Sequence, residues 1–397
     1  YADLLTEKLL DLKPDGSFRM DMSYFNYCQG LTMTSKKFDT LFGGPRRKPE
    51  AEITQREMDV AASVQRVTED VLLRMARHVH RLTGLRNLCM AGGVALNCVA
   101  NGRVLRETEF DDLWIQPAAG DAGGALGTAL FVWHQLLGNA RTPQPRDSQR
   151  ASYLGPTFSE SDTRRFLDSA GATYRHFDDE DELCEFVAGE IANEKVIGWM
   201  QGRMEFGPRA LGGRSILGDA RSEKMQSVMN LKIKFRESFR PFAPSILEER
   251  VDDYFQMRPC EQSPYMLLVA PVNEDRRVPS NGRLTGLEKL KARRSDVPAI
   301  THVDYSARVQ TVDRHRHGRY YKLLKAFERQ TGSPVIINTS FNVRGEPIVC
   351  TPEHAYRCFM ATNMDLLVID DFVLQKSEQS HAKEHEIDDY LAQFQLD

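Results

Sequence analysis

Residues 85–97 read LRNLCMAGGVALN, and residues 113–138 read LWIQPAAGDAGGALGTALFVWHQLLG. Each stretch begins with a short apolar run typical of a buried strand, passes through a turn rich in glycine or alanine, and enters a segment with the composition of a helix. Strands that alternate with helices through short turns are typical of an α/β sheet with helices on its faces. The repeated pattern therefore predicts an α/β fold.

A long helix is predicted before the first of these strands. Thr54 can cap its beginning, Gly84 can end it, and apolar residues recur between them at helical spacing. A second helix is predicted from Asn97 or Asn101 to Glu107.

Composition places the 397 residues in the class of globular proteins with two or three domains. Hydrophobic residues make up 41% and charged residues 27%. No apolar run approaches the ~20 residues that cross a bilayer, so no membrane partner is expected. The seven cysteines form no CxxC pair, which favours a reducing cytoplasm.

Four segments are predicted along the chain. A first domain covers residues 1–140, and the segment 141–153, rich in Pro, Arg and Ser, links it to a second domain of residues 154–376. Residues 377–397 form an acidic, amphipathic tail.

Residues 201–245 read QGRMEFGPRALGGRSILGDARSEKMQSVMNLKIKFRESFRPFAPS. The whole chain carries a formal net charge of −4, yet the net charge from Arg203 to Arg240 is +5. Arginine can grip phosphate oxygens with two parallel hydrogen bonds. A pocket for small phosphorylated ligands, a nucleic-acid surface and a solvated face all fit; the acidic chain and short patch favour the first. The alternation with Phe predicts a strand that presents Lys234, Arg236 and Arg240 on one face.

Three shorter motifs each allow two interpretations. Gly92 and Gly93 fit either a nucleotide site or a tight turn, and Asn97 adds a polar group on the following helix. Asp121 fits either a helix N-cap or a ligand of a metal or phosphate group. The polar cluster at 338–342, which follows an apolar strand, fits either a turn or part of an anion pocket near residue 308.

Six segments together resemble the NodU/CmcH-type O-carbamoyltransferases, which modify antibiotics, toxins and nodulation factors. They are GGVALNCVANGRV, AAGDAGGALG, EFGPRALGGRSIL, KFRESFRPFAPS, THVDYSARVQTV and NTSFNVRGEPIV. The resemblance runs from residue 1 to about residue 376. It implies part of an actin-like (ASKHA) ATPase-type domain, similar to the tRNA threonylcarbamoyl transferases, followed by a YrdC-like α/β domain.

The resemblance also implies an activity. Such an enzyme forms carbamoyl-adenylate from carbamoyl phosphate and ATP, and then transfers the carbamoyl group to the hydroxyl of a small-molecule acceptor. The implied cofactors are ATP and a divalent metal, of the iron type in the transfer site and Mg²⁺ with ATP. No nucleic-acid partner is expected.

The residues implied by the resemblance fall into four groups. The catalytic group is Arg209, Lys234, Arg240 and Arg308, and the substrate-binding group is Arg203, Arg214, His302, Asn338 and Ser340. The nucleotide group is Gly92, Gly93 and Asn97, and the metal ligand is Asp121.

One departure from the family stands out. The family's actin-like domain opens with a lobe that carries a paired-histidine metal motif, and residues 1–50 contain no such motif. Because the chain starts at Tyr1, we expect it to lack this lobe. Without the lobe, metal binding and final transfer are expected to fail, whereas carbamoyl-adenylate formation is expected to survive. Rival interpretations are a tRNA threonylcarbamoyl transferase, an actin-like sugar kinase and a regulator that binds a nucleotide without turnover.

Overall fold

The computed structural model describes residues 1–48, 51–144, 147–236, 239–279, 286–379 and 390–394. The chain divides into two compact units, Tyr1–Ala91 with Val99–Ile115 and Gly92–Cys98 with Gln116–Asp397. Both contain helices and sheets, so the α/β prediction is confirmed. No helix within the described ranges combines the length and apolar character needed to cross a bilayer.

The strands and helices occur throughout the described residues. The strands are β1 (Leu10–Leu12), β2 (Phe18–Met20), β3 (Asn87–Met90), β4 (Asp112–Ile115), β5 (Arg175–His176), β6 (Ile197–Met200), β7 (Arg214–Asp219), β8 (Ala243–Leu247), β9 (Leu268–Pro271), β10 (Ser306–Val312), β11 (Val335–Ser340), β12 (Leu366–Ile369) and β13 (Phe372–Gln375). The α-helices are α1 (Ala2–Leu4), α2 (Lys36–Leu41), α3 (Gln55–Thr83), α4 (Cys98–Glu107), α5 (Gly123–Phe131), α6 (Glu160–Ser169), α7 (Glu180–Ala192), α8 (Met225–Lys232), α9 (Arg314–His317), α10 (Arg319–Thr331) and α11 (Pro352–Met360).

Helix α3 is the longest element of the first unit and begins and ends where the sequence predicts. The Thr54 N–H donates to the Glu57 carboxylate at 3.0 Å in a capping box, and Gly84 closes the helix with a φ of 64°. Val67 and Val71 of the predicted apolar face are buried. The two predicted strands are present as β3 and β4, and they form a parallel pair.

A nine-stranded mixed sheet forms the centre of the second unit. Its strand order is β5-β13-β12-β6-β7-β11-β8-β10-β9. Helices α7 and α10 pack on one face through a fully buried cluster that includes Leu183, Phe327 and Ile336. Helices α6, α8 and α11 contribute buried side chains to the cluster on the other face.

The sheet face under α7 and α10 changes character along its strands. Ile336 on β11 lies opposite Ser245 on β8, and Ser245 lies opposite Gln310 on β10. Side chains two residues apart share a face, so Asn338 continues this face beyond Ile336, and Arg308 continues it beyond Gln310. The apolar core therefore gives way to polar and charged groups near the beginning of β10 and the end of β11.

Two sequence predictions about strands were wrong. Residues 234–236 form no strand: α8 ends at Lys232, Phe235 has a φ of 48°, and β8 starts only at Ala243. A left-handed residue turns the chain and breaks the alternation of faces; residues 237 and 238 lie outside the described ranges. The segment DLLVIDDFVL at 365–374, whose apolar composition predicts one strand, is instead the hairpin of β12 and β13, turned by Asp370 with a φ of 47°.

The proposed domain limits stay a prediction. The predicted linker 141–153 falls within the second compact unit, apart from residues 145 and 146, which are not described. Of the predicted tail 377–397, residues 380–389 and 395–397 lie outside the described residues.

Candidate anion-binding site

The loop that carries Arg209 runs from residue 206 to residue 213, immediately before β7. Oε1 of Glu205 accepts hydrogen bonds from the main-chain N–H groups of Leu211 at 2.6 Å, Gly213 at 2.7 Å and Arg214 at 3.3 Å. Glu205 is buried. The carboxylate of Glu205, the residue before the loop, thus holds the end of the loop in place.

Arg209 and Arg308 are neighbouring positive charges of the predicted set. Burial, followed by repulsion from Arg209, lowers the pKa of Arg308 to about 10. The Nε atoms of both residues are buried without a hydrogen-bond partner. Neither side chain forms an ion pair with a carboxylate of the described residues. Two neighbouring guanidinium groups without a counter-ion are suited to an anionic ligand.

Arg209 also contacts the segment 92–98. Its Nη2 donates to the carbonyl oxygen of Leu96 at 3.4 Å and lies 3.7 Å from Sγ of Cys98. Cys98 is buried and forms no disulfide, and it shares a side-chain hydrogen bond with Arg308. Arg209, a residue of the predicted carbamoyl phosphate pocket, therefore also contacts the predicted nucleotide turn.

The two glycines of that segment leave open space beside the backbone. Gly92 has a φ of 99°, and a methyl group added at Gly92 or Gly93 would meet no atom within 4 Å. The N–H of Gly92 donates to the carbonyl oxygen of Ala119 at 2.8 Å. Asn97 is half-buried at the end of the turn. This space permits a close approach of a ligand, and the nucleotide role of these residues stays a prediction.

His302 lies beside Arg308 as a neutral group. Burial is the main reason why the pKa of His302 falls to about 4; Arg308 and Arg294 add to the shift, and Asp304 opposes it. Nδ1 of His302 is 3.2 Å from Oγ of Ser306. At neutral pH, His302 therefore contributes hydrogen bonding and no charge.

Lys234 and Ser340 are brought together at the end of β11. The Lys234 ammonium donates to the carbonyl oxygen of Ser340 and, at 3.3 Å, to its hydroxyl oxygen. It also donates to two oxygens of Asn342 at 2.8 Å each. Burial, followed by repulsion from Arg236, lowers the pKa of Lys234 to about 7. Lys234 thus holds the turn after β11 in place, and its lowered pKa makes its positive charge sensitive to pH.

Asn338 belongs to a buried hydrogen-bond network. Its Nδ2 donates to the carbonyl oxygen of Ala210 at 3.2 Å and to Oε1 of Gln310 at 2.8 Å. Nε2 of Gln310 donates to the carbonyl oxygen of Leu211 at 2.9 Å. The carbonyl oxygens of Ala210 and Leu211 can only accept hydrogen bonds. The amide nitrogens of Asn338 and Gln310 must therefore be the ends that face the loop. Oδ1 of Asn338 remains buried without a donor.

Arg214 is fully buried and directed at the main chain. Its side chain donates to five carbonyl oxygens, those of Pro156, Gln201, Gly202, Gly213 and Cys350. Burial lowers the pKa of Arg214. With its donors used in this way, Arg214 is placed to hold the loop rather than a ligand.

Two other predicted arginines have exposed side chains. Arg203 is exposed, and its Nη1 donates to the carbonyl oxygen of Gly155 at 2.9 Å. Arg240 is exposed as well, and its carbonyl oxygen accepts from Nδ2 of Asn230 at 2.8 Å. Their ligand roles stay predictions.

Asp121 is exposed in the turn before α5. Within the described residues, no group of three or more His, Cys, Asp or Glu side chains is arranged to hold a metal ion. Asp121 is therefore part of no described metal-binding group, and its role as a metal ligand stays a prediction.

Sequence reasoning missed one functional candidate, Glu205, and named Arg236 only as part of the predicted strand, without a role in the site. Arg236 influences both Lys234 and Arg308 electrostatically, and its Nε donates to Oδ1 of Asn230 at 2.7 Å. An acidic residue next to a glycine-rich loop was an available signal for Glu205, because a carboxylate readily accepts hydrogen bonds from loop amides. For Arg236, the available signal was its place two residues after Lys234 in the alternation of basic residues with Phe.

Comparison with known proteins gives two family matches that cover most of the chain. The carbamoyltransferase N-terminus matches residues 1–130, and the carbamoyltransferase C-terminus matches residues 188–376. Among solved structures, full-length HypF in its phosphate- and nucleotide-bound form matches 66% of this chain and 36% of its own, with 14% identity and a TM-score of 0.33. A structural similarity at that level supports no further conclusion.

Several curated relatives are more similar in sequence. The protein sll1178 of Synechocystis sp. is 58% identical over 402 residues, which cover 100% of this chain and 65% of that protein. Nodulation protein NolO of Bradyrhizobium diazoefficiens is 40% identical over 82% of this chain and 56% of its own. Nodulation protein U of Sinorhizobium fredii is 36% identical over 72% of this chain and 46% of its own. The chain thus spans about half to two thirds of the length of these relatives. Since the two family matches together extend over more than half of its residues, the chain belongs to the carbamoyltransferase family.

Proposed function

We propose that the protein is an O-carbamoyltransferase that forms carbamoyl-adenylate from carbamoyl phosphate and ATP and passes the carbamoyl group to a hydroxyl of a small molecule. Membership of the carbamoyltransferase family supports the general activity. The two domain types proposed are part of an actin-like domain followed by a YrdC-like domain, and the proposed location is the cytoplasm.

One observation carries the proposal: Arg209 and Arg308 lie close enough for one to lower the pKa of the other, and no described carboxylate neutralises them. Carbamoyl phosphate and ATP are both concentrated anions that repel each other. Paired guanidinium groups relieve that repulsion and stabilise the charge that develops during phosphoryl chemistry. Holding both substrates in one pocket also removes much of the entropic barrier to their reaction.

The groups around the pair suit defined roles. Arg209 and Arg308 bind phosphate oxygens, and the neutral imidazole of His302 offers a hydrogen bond without further charge. Lys234 and Ser340 form the wall at the end of β11, where the ammonium acts on the anion through its charge while its donors hold the turn. Overall, carbamoyl phosphate, ATP and one water give carbamoyl-adenylate, pyrophosphate and inorganic phosphate. A nucleotide approaches through the open space beside Gly92 and Gly93, next to Arg209.

A divalent metal is part of the wider proposal, as Mg²⁺ bound to ATP and as an ion in the transfer site. Mg²⁺ neutralises phosphate charge when it accompanies ATP. Asp121 stands without further ligands among the described residues, so no step is assigned to a metal at that position.

The test is incubation of the protein with ATP and carbamoyl phosphate, with separate measurement of AMP, ADP and pyrophosphate. Release of AMP and pyrophosphate that depends on carbamoyl phosphate is the expected result. Formation of ADP instead identifies a kinase, binding of ATP without any product identifies a regulator, and retention of tRNA at physiological salt identifies a tRNA-modifying enzyme. Each of these three outcomes overturns the proposal.

A further inference from the structure

The loop that carries Arg209 is held in an unusual conformation. Gly207 and Gly212 have φ angles of 139° and 108°, which other residues rarely adopt. A β-carbon at Gly212 would lie only 2.4 Å from the ring of Tyr320. A loop with this backbone has few regular hydrogen bonds of its own, so the placement of Arg209 depends on groups that bind the loop from outside.

Glu205 is the main group of this kind. Its Oε1 accepts from three main-chain N–H groups, two of which are at 2.6 and 2.7 Å and belong to Leu211 and Gly213. Hydrogen bonds to an ionised acceptor are roughly twice as strong as those between neutral groups. The carboxylate thus fixes the chain two and four residues beyond Arg209.

Arg214 explains how this carboxylate tolerates burial. Glu205 is 5% exposed and Arg214 is 0% exposed. Burial lowers the pKa of Arg214, and the attraction of Glu205 is the largest effect opposing that shift. The guanidinium group is therefore the nearby positive charge that compensates the carboxylate, while its own donors bind carbonyl oxygens.

We propose that Glu205 is a positioning residue for Arg209: its carboxylate holds the loop 206–213 in the one conformation in which Arg209 and Arg308 bind the same anion. The inference rests on the proposed function for the identity of that anion. A guanidinium group grips a phosphate well only when it is held within about 0.5 Å of the right place. Loosening the loop therefore weakens the contribution of Arg209 although no ligand group is removed.

A double-mutant cycle on pyrophosphate binding tests this proposal. Glu205→Gln keeps the size of the side chain and removes its charge, and Arg209→Ala removes the group that it positions. Titration calorimetry of pyrophosphate is expected to give a Kd about tenfold higher for Glu205→Gln than for the wild type. In the Arg209→Ala background the same change is expected to raise Kd by less than about twofold, because the positioned group is already absent.

Ser215→Ala is the matched control. Oγ of Ser215 accepts from the N–H of Gly212 at 3.1 Å, so it binds the same loop through a single neutral bond. Its Kd is expected to stay within about twofold of the wild type. If circular dichroism shows that Glu205→Gln is unfolded, Glu205→Asp takes its place in the cycle. Glu205→Asp is expected to raise Kd about threefold in the wild-type background and by a smaller factor in the Arg209→Ala background.

The positioning role is overturned if the Glu205 change raises Kd by the same factor in the wild-type and Arg209→Ala backgrounds. It is also overturned if the Glu205 variants leave Kd unchanged. Failure of the proposed function has a different signature: a wild-type protein that binds pyrophosphate but forms no carbamoyl-adenylate refutes the activity and leaves the cycle valid. A wild-type protein that does not bind pyrophosphate overturns both.

Discussion

Two hydrogen bonds of 2.8 Å join Lys234 to Asn342, one to the carbonyl oxygen and one to the side-chain oxygen. Ser340 supplies two further acceptors. These four acceptors are all neutral, so the buried ammonium is solvated by amides and a hydroxyl in place of a counter-ion. Its charge is consequently sensitive to pH, because burial lowers the pKa of Lys234 to about 7.

Stability is expected to rise with pH between about 7 and 10 through this residue. The pKa of Lys234 is near 7 in the folded protein and near its ordinary value of 10.5 in the unfolded chain. The unfolded chain therefore binds more protons in this window, and raising the pH favours the folded state. The contribution has a slope of up to about 1.4 kcal/mol per pH unit.

Lys234→Met isolates this contribution, because methionine has a similar length and does not titrate. The free energy of unfolding in urea is measured for both proteins at several pH values. The wild-type value minus the variant value is expected to increase from about pH 7 to about pH 10. A difference that stays constant over this range contradicts the lowered pKa.

Arg209→Ala and Lys234→Ala are each expected to abolish carbamoyl-adenylate formation. Each removes a cation that stabilises charge on the reacting phosphates, and a loss of at least about 100-fold is expected in the rate of pyrophosphate release. Thermal unfolding of the same preparations shows whether the variants remain folded.

Lys232→Ala is the control for these two variants, because it also removes one positive charge from the same segment. Lys232 is exposed in the last turn of α8 and belongs to none of the predicted site groups. Its rate is expected to stay within about threefold of the wild type. Wild-type rates of pyrophosphate release in Arg209→Ala or Lys234→Ala would refute the assignment of those residues.

Local patterns in the sequence predicted much of the fold. The helix from Gln55 to Thr83 was predictable because its cap at Thr54 and its terminal Gly84 act on the neighbouring chain only. The strands that end at Met90 and Ser340 were predictable because apolar runs are followed by turn residues. Such signals depend on a few adjacent residues, so a single sequence contains them.

The candidate site was predictable only in part. The sequence placed Lys234 and Ser340 in one pocket, and the structure brings them into contact. The burial of Lys234 was not predictable, because it depends on the left-handed turn at Phe235 in place of the expected strand. Nor did the sequence show that Arg214 is directed at the main chain, because its acceptors include the carbonyl oxygens of Pro156 and Cys350, which are far away in the chain.

The network at Gln310 is expected to contribute strongly to stability. Gln310 is fully buried; its Oε1 accepts from Ser245 and Asn338, and its Nε2 donates to Leu211. Gln310→Met preserves the volume and removes one hydrogen bond from each of three buried partners, Ser245, Asn338 and Leu211. The free energy of unfolding is expected to fall by about 3 kcal/mol, measured by urea denaturation.

Tyr320→Phe provides the comparison, because it removes only the hydroxyl that donates to Oγ of Ser245 at 2.8 Å. A smaller decrease of about 1 kcal/mol is expected. Equal effects of Gln310→Met and Tyr320→Phe contradict the view that Gln310 is the centre of the network.

Arg214 is expected to affect stability much more than ligand binding. Arg214→Ala leaves five carbonyl oxygens and the Glu205 carboxylate in a buried place without their donor or counter-charge. Removing one partner of a buried charged group lowers the free energy of unfolding by about 3–5 kcal/mol. Arg214→Lys is not expected to restore it, since a compact ammonium cannot reproduce the planar fork. Urea denaturation measures the stability, and calorimetry with pyrophosphate measures binding to whatever fraction stays folded. A variant that keeps wild-type stability but loses pyrophosphate binding would show that Arg214 contacts the ligand, and that the guanidinium leaves these carbonyls when the anion arrives.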